Sequence, residues 1–228
     1  MNGLETDHPC EGVRNMNEHL IIIWTDTEPV EDGLVDAAPA QSGQLFAAGP
    51  VHDVSELDSR PAPAGLVIAR FGAAESARSW FAATGHQLDG TALLVAGATE
   101  PVWWPPEMEV QRPEWSRHAE FPPDRLGLFV CVWAEITNRD QFFDYSVHYR
   151  WTVEYDGGVV LVPGSRPNQV VLRGGPGPHA MALMAWPADE HARHTWYEGS
   201  RYRPYREQRH RSSRTTNVSV RALTLGRP

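Results

Sequence analysis

The sequence predicts an α+β fold built from two tandem halves, each an antiparallel sheet with its helices on one face. Short apolar runs of strand length alternate with helical stretches along the chain. In residues 126–226 their order is strand, helix, strand, strand, helix, strand, and residues 18–98 repeat this order in reduced form. The order is typical of ferredoxin-like domains.

The predicted strands are the short apolar runs. They span residues 20–24, 65–71 and 92–96 in the first half, and residues 126–136, 159–162, 170–172, 179–186 and 217–225 in the second half. In the last strand Val218 and Val220 alternate with Asn217 and Ser219. This alternation predicts a strand with one buried face and one solvent-exposed face.

Helices are predicted over residues 74–84, 138–156 and 188–212. In the second of these an aromatic and apolar face is formed at three- and four-residue spacing by Phe142, Tyr145, Tyr149 and Val153. The helix begins at the capping sequence "TNRDQ" and ends at "DGG".

A repeated segment indicates that the two halves are related by duplication. The segment "ARFGAAESARSWF" at residues 69–81 is similar to "AWPADEHARHTWY" at residues 185–197, with a slip of one residue before the tryptophan. A duplicated chain has two sheets that each need a cover for their second face. We therefore expect the sheets to pack face to face, as a pseudo-dimer within one chain, with the helices outside.

The segments outside the halves differ from them in composition. Residues 1–17 are polar and are expected to be a flexible tail, whereas residues 99–125 contain six prolines and Trp103, Trp104 and Trp115. This second segment is predicted to be an extended linker that lies along a domain surface. The halves themselves then span residues 18–98 and 126–228.

Charge and composition exclude several classes of function. The net charge is −9, with −13 in residues 1–125 and only +4 in residues 126–228, which argues against nucleic-acid binding. The chain has no lysine, so Schiff-base catalysis and a phosphate-loop lysine are excluded. No apolar run approaches the roughly 20 residues of a membrane span. We expect a cytoplasmic protein without membrane contact, in which Cys131 is a core thiol and Cys10 an exposed one.

Several motifs of the second half resemble a known family. They are Phe142 with Tyr145, "DGGVVLVPG" at residues 156–164, "VLRG" at residues 171–174, and Trp196 with Tyr202 and Arg209. Through them residues 126–226 resemble a domain-of-unknown-function family of the dimeric α/β-barrel superfamily. That resemblance implies an intramolecular dimeric α/β barrel. It also implies a range of activities, which includes cofactor-free monooxygenases, isomerases, dehalogenating lyases, polyketide cyclases and some haem enzymes.

The first half is similar to a different branch of this superfamily. Residues 18–98 resemble YciI-like proteins through "GQLFAAGPV" at residues 43–51 and "LVIARFGAAESARSWFA" at residues 66–82. The resemblance implies a histidine in the first helix, but residues 25–42 contain none. We therefore expect a degenerate, structural half, in which replacement of His52 or His86 leaves activity intact.

The candidate catalytic residues lie on the helix at residues 138–156. Asp144 and His148 are four residues apart and share a face, and Tyr145 lies beside them. A carboxylate that orients an imidazole gives a general base at neutral pH, with Asp144 as the orienting group and Tyr145 or Tyr202 as a proton donor. A solvated surface pair is the alternative for Asp144 and His148.

The predicted substrate-binding residues are Trp196, Tyr202, Arg209, Trp151 and Tyr155. Arg209, or Arg206, would hold an anionic group of the substrate through a bidentate contact. Burial of Trp196 in the core and exposure of the arginines are the alternatives. His191 and His194 lack a visible third ligand, so no metal site is predicted, and "GGPGP" at residues 174–178 is expected to be a turn.

Together these features predict a cofactor-independent acid/base enzyme of isomerase, cyclase or lyase type. Its substrate would be a small aromatic or polyketide-like metabolite, in keeping with specialised metabolism. The alternatives are a non-catalytic small-molecule-binding protein, a cofactor-free monooxygenase and a haem enzyme. A further association into a homodimer is compatible with this architecture, and no cofactor is expected.

Overall fold

The structure, a computed structural model, describes residues 19–29, 34–57, 60–96, 126–162, 169–187 and 190–223. The predicted tail, residues 1–17, and the predicted linker, residues 99–125, lie outside these residues. The first half contains β1 (His19–Thr25), α1 (Leu34–Ala40), β2 (Gly43–Pro50), β3 (Asp53–Leu57), β4 (Gly65–Phe71), α2 (Ala74–Thr84) and β5 (Thr91–Ala96). The second half contains β6 (Leu126–Ile136), α3 (Arg139–Tyr155), β7 (Val159–Val162), β8 (Gln169–Arg173), β9 (Ala180–Pro187), α4 (Glu190–Glu198), α5 (Arg203–Ser212) and β10 (Ser213–Arg221).

The strands form two antiparallel sheets with the same topology. Sheet A has the order β2-β4-β1-β5-β8, and sheet B has the corresponding order β7-β9-β6-β10-β3. Each half therefore contributes one edge strand to the other half's sheet, because β8 pairs with β5 and β3 pairs with β10. The α+β fold with two ferredoxin-like halves is confirmed.

A continuous apolar core lies between the two sheets. Sheet A supplies Leu20, Ile22, Trp24, Phe46, Ala47, Leu66, Ile68, Leu93 and Val95, and sheet B supplies Phe129, Cys131, Trp133, Val162, Met181, Leu183, Ala185, Val218 and Val220. Phe46 stacks on Phe129 across the sheets at 5.5 Å between ring centroids. Trp24 donates a hydrogen bond to the sulfur of Cys131 at 3.4 Å. The predicted face-to-face packing is confirmed, and Cys131 is a buried core thiol as predicted.

The helices cover the outer faces of both sheets. On sheet A, α1 and α2 supply Leu34, Ala38, Ala77 and Trp80 to an apolar cluster. On sheet B, the helices supply an aromatic cluster of Phe142, Tyr145, Tyr149, Val153, Trp196 and Tyr202. This arrangement gives four layers, helix, sheet, sheet and helix, and the predicted buried face of the helix at residues 138–156 is confirmed.

One arginine fastens the exchanged strand β8 to the first half. The Arg173 guanidinium donates three hydrogen bonds to backbone carbonyls that follow α2, at 2.5 Å to Gly85, 2.8 Å to Asp89 and 3.3 Å to Gly90. These hydrogen bonds are charge-assisted, because the guanidinium carries a full positive charge, and such bonds are stronger than those between neutral groups. Gly90 has φ +76° and sits against the Trp24 carbonyl, where a Cβ atom would collide.

The helix α3 follows the prediction closely. Asn138 caps its first turn, and its side-chain oxygen accepts a hydrogen bond from the Gln141 amide at 3.3 Å. Gly157, with φ +84°, follows the last turn. A residue without a Cβ atom tolerates this left-handed conformation, which explains why "DGG" ends the helix.

The prediction of one continuous helix over residues 188–212 is wrong, because this segment contains two helices. The segment divides into α4 and α5 because Gly199 to Tyr202 form a turn between them and Pro204 lies in the first turn of α5. Proline lacks the amide that a helix interior needs, but it fits a first turn. The prediction also omitted α1, β2 and β3 of the first half.

The prediction that one face of β10 is exposed to solvent is also wrong. Asn217 and Ser219 are buried, like the valines beside them. They pair with Val132 and Val130 of β6, which belong to the helix-covered core of sheet B. These two polar side chains are therefore covered by the helices, whereas the alternation predicted that they face solvent.

Candidate functional site

A small cavity lies in the second half between sheet B and the helices α3 and α5. Its volume is about 20 Å³, room for about one water molecule. Its lining consists of Val132, Ala134, Phe142, Tyr145, Ser146, Tyr149, Ala180, Met181, Ala182 and Arg209. The strands supply small apolar walls, and the helices supply the polar groups.

Arg209 brings a positive charge to this cavity. Its side chain reaches inward from α5 and is only 1% exposed. The guanidinium carbon lies 5.9 Å from the Tyr145 ring centroid and 5.8 Å from that of Tyr202, so aromatic faces flank the cation. Burying a charged group costs several kcal/mol of desolvation free energy. If Arg209 had only a structural role, an apolar residue of similar volume would leave the protein at least as stable.

Tyr149 brings a hydroxyl donor to the same cavity. It lies one helical turn after Tyr145, with the two rings stacked at 5.2 Å, and it is 2% exposed. Its phenol oxygen has no hydrogen-bond partner among the residues that the structure describes. Burial raises the pKa of Tyr149, so the phenol remains protonated and able to donate. The neighbouring Ser146 hydroxyl donates to the Phe143 carbonyl at 2.6 Å.

His148 and Asp144 lie on the solvent side of the contact between α3 and α5. We call this contact the α3–α5 seam, defined by Asp144 and His148 on α3 and by Tyr205 and Gln208 on α5. The His148 ring stacks on Tyr205 at 5.4 Å with an interplanar angle of 5°, and its edge contact with Trp151 is at 5.3 Å. The His148 side chain keeps 32% exposure.

The orientation of the imidazole differs from the prediction. Nδ1 of His148 is 2.8 Å from the backbone carbonyl of Asp144 and 3.7 Å from its carboxylate. A carbonyl only accepts, so Nδ1 donates its proton and Nε2 is left as the basic nitrogen. Asp144 therefore positions His148 through its backbone, whereas its carboxylate accepts a hydrogen bond from Gln208 at 2.5 Å. Burial, together with the Asp144 charge, raises the pKa of Tyr205.

The remaining predicted residues lie elsewhere in the second half. Trp196 is a core residue, since it stacks on Tyr202 at 4.1 Å and donates to the Thr152 hydroxyl at 2.9 Å. Neither Trp196 nor Tyr202 lines the cavity. Tyr155 lies near the end of α3, with the Arg201 guanidinium 3.7 Å from its ring centroid.

The predicted set thus separates into three groups. Tyr145 and Arg209 reach the cavity, Asp144, His148 and Trp151 lie at or beside the seam, and the others pack away from both. The sequence pattern predicted that Tyr149 lies on the buried face of α3, but no functional role was predicted for it. Its signal was the four-residue spacing from Tyr145, which sets two phenols on the same face of one helix. Tyr205 and Gln208 were not predicted.

Among the described residues, no three histidine, cysteine or acidic side chains converge in a way that would hold a metal ion. His194 is exposed on α4. Within the same part of the chain, no helix combines the length and the apolar character that crossing a membrane requires.

Comparisons with known proteins agree with this architecture. Residues 128–223 match the family described as Domain of unknown function, DUF1330. No curated protein sequence matches the chain. An anthrone oxidase-like protein of known structure is 12% identical, with 92% of each chain covered and a TM-score of 0.50. A protein from Fusobacterium nucleatum, proposed to be a monooxygenase, is 10% identical over 92% of this chain and 94% of its own, with a TM-score of 0.53.

At these identities the likeness to solved structures concerns the fold alone. The predicted resemblance of the second half to a domain-of-unknown-function family is confirmed. The resemblance of residues 18–98 to YciI-like proteins stays a prediction. The second half matches DUF1330, and the whole chain has the fold of the dimeric α/β-barrel proteins.

Proposed function

We propose that the second half binds a small aromatic metabolite with an acidic oxygen and acts on it by general acid/base catalysis. The site is the α3–α5 seam together with the cavity beneath it. The observation that carries this proposal is the burial of the Arg209 guanidinium beside Tyr145 and Tyr149, at a cavity wall. A buried cation next to aromatic rings suits a ligand that is both anionic and aromatic.

The residues divide the chemistry between base and anion binding. Nε2 of His148 would take a proton from a carbon next to a carbonyl group, since Nδ1 already donates to the Asp144 carbonyl. The negative charge would then develop on the carbonyl oxygen, where Arg209 would stabilise it. Tyr145 would protonate a second carbon or the departing group to complete an isomerisation, cyclisation or elimination, and its phenolate would then recover a proton from the protonated His148. None of these steps needs a cofactor.

Access to the cavity would require the two helices to part. The seam is closed by the Asp144–Gln208 hydrogen bond of 2.5 Å and by the His148–Tyr205 stack. A volume of about 20 Å³ is far below the 300 Å³ or more of ordinary ligand pockets, so an aromatic ring needs an opened seam. We infer that the described conformation is the closed state, and that His148 stands at the entrance.

The first experiment measures binding of enolisable aromatic ketones, anthrone among them, by quenching of tryptophan fluorescence. Arg209→Gln should weaken binding about 10- to 100-fold, the effect of losing a charged hydrogen bond. Arg203→Gln, an exposed position on the same helix, is the matched control. Equal affinities for both variants, with unchanged thermal stability, would remove Arg209 from the site.

The second experiment tests the base. His148→Ala should lower turnover by about 100-fold or more while the affinity stays within a few-fold. His194→Ala, at an exposed position on α4, should leave turnover unchanged. Unchanged turnover in His148→Ala would exclude His148 as the base.

Two other functions use the same site. Oxygenation is favoured by the printed names of the anthrone oxidase-like protein and the proposed monooxygenase, and it shares the first step, since a carbanion can react with dioxygen. Oxygen consumption that matches product formation would select it. A non-catalytic binder is favoured by the 3.7 Å separation of the His148 imidazole from the Asp144 carboxylate. Tight binding without turnover, insensitive to His148, would select that function.

A further inference from the structure

The cavity beneath the seam has room for about one water molecule, and its largely apolar lining includes Tyr149 and Arg209. We propose that Tyr149 and Arg209 form a subsite for a single anionic atom. In the working enzyme this atom is the enolate or phenolate oxygen of the substrate, a statement that rests on the proposed function. Without substrate, a halide ion occupies the same position.

Size is the first argument. A cavity of about 20 Å³ holds one water-sized particle, so a single oxygen or a halide fits. A substrate group that presents one anionic oxygen, such as an enolate or a phenolate, therefore fits this space.

The polar groups at the wall are the second argument. Tyr149 is 2% exposed and lines the cavity, and its hydroxyl has no hydrogen-bond partner among the described residues. The Ser146 hydroxyl already donates its hydrogen bond to the backbone carbonyl of Phe143. Tyr149 is thus a donor that still lacks an acceptor, and an anion is the strongest acceptor that could fill this space.

The charge around the cavity is the third argument. Arg209 is the charged residue in the described lining, and the lining includes no carboxylate. Val132, Ala134, Ala180 and Ala182 form apolar walls. In such surroundings the attraction between a guanidinium and an anion is stronger than in water, whereas a neutral water gains less from it.

The test uses the full chain and two simple salts. Thermal unfolding is measured in sodium chloride and in sodium gluconate at equal ionic strength, because gluconate is too large for the cavity. A ligand that binds only the native state raises the Tm with its concentration. We expect Tm to rise with chloride above its gluconate value in the wild-type protein.

The variants assign this effect to the subsite. Tyr149→Phe should lose most of the chloride-dependent rise in Tm, since the donor is gone while the ring remains. Tyr155→Phe, the same change on the same helix but away from the cavity, should keep the rise. In crystals soaked with bromide, the anomalous peak should lie between the Tyr149 hydroxyl and Arg209.

Three results would overturn the subsite. They are equal Tm values in chloride and gluconate for the wild-type protein, a full chloride response in Tyr149→Phe, and no bromide peak in the cavity. Other results would refute the proposed function, and they can be told apart from these three. A chloride response without binding or turnover of any aromatic ketone would refute that function and leave an anion site. Arg209-dependent turnover without a chloride response would refute the subsite alone.

Discussion

The two halves share one sheet topology but differ in the layer that covers their sheets. In the first half α1 has 7 residues, and the outer cluster consists of alanine, leucine, isoleucine, valine, Phe71 and Trp80. In the second half α3 has 17 residues, and the outer cluster contains four tyrosine or phenylalanine rings and two tryptophans. The common sheets maintain the fold. Among the described residues, the cluster of tyrosines and the buried Arg209 lie in the outer layer of the second half, where a site is expected.

The largest expected effect concerns the tryptophan that both halves keep. Trp80 on α2 and Trp196 on α4 are buried at corresponding positions of the repeated segments. Replacement of either by alanine should lower the free energy of unfolding by about 3–5 kcal/mol, the usual cost of removing a buried tryptophan. Urea titration followed by circular dichroism measures it. Because the halves share a core and exchange strands, each variant should unfold in one transition, and two separate transitions would contradict this.

The next effect concerns the strand exchange. Arg173→Ala removes three hydrogen bonds between β8 and the first half, and should cost about 1.5–3 kcal/mol, the range for hydrogen bonds to charged groups. Arg78→Ala, at an exposed position on α2, is the control and should change stability by less than about 0.5 kcal/mol. Hydrogen exchange should also speed up in β5 and β8. Equal stability of the two variants would show that β8 is held by its backbone ladder alone.

The buried thiol in the shared core should make the free energy of unfolding depend on pH in the alkaline range. Burial raises the pKa of the Cys131 thiol from 9.0 to about 12. Above pH 9 the unfolded thiol loses its proton while the native one retains it, so stability falls as the pH rises toward 12. The slope is about 1.4 kcal/mol per pH unit for this group. Cys131→Ala should flatten the profile in urea titrations between pH 9 and 10.5, and an unchanged slope would contradict the burial effect.

The smallest effect separates a site residue from a core residue. Tyr149→Phe removes a buried hydroxyl that has no hydrogen-bond partner among the described residues, so in gluconate it should stabilise the protein by about 1 kcal/mol. Tyr155→Phe, the same change outside the cavity, is the comparison and should not stabilise the protein. Thermal and urea unfolding measure both. A loss of stability in Tyr149→Phe would show that the phenol already has a partner.

Much of the fold could be predicted because strands and helices leave local patterns. The strands β4, β6 and β7 were predicted with the bounds that the structure gives, and α2 likewise. β2 and β3 were missed, because "GQLFAAGP" is rich in small residues and "DVSEL" is short and polar. The exchange of β3 and β8 between the sheets has no local signal, since periodicity describes a strand and not the partner with which it pairs.

The candidate site was predicted only in part for a related reason. Tyr145 and Arg209 were selected as residue types suited to proton donation and anion binding, and both reach the cavity. Tyr149 has the same chemistry, but its sequence pattern could not show that its hydroxyl lacks an acceptor. Gln208 and Tyr205 belong to another helix, and their contacts with Asp144 and His148 depend on how α3 and α5 cross.

The exchange of edge strands has a consequence for synthesis on the ribosome. β3, at residues 53–57, is synthesised long before its partner β10, at residues 213–221, and sheet A is completed only by β8, at residues 169–173. Pairings over such sequence distances are slow to form. Neither sheet can therefore be completed while the first half alone has been made. The nascent first half must keep an open edge until the second half arrives, and the two halves then reach their final form together.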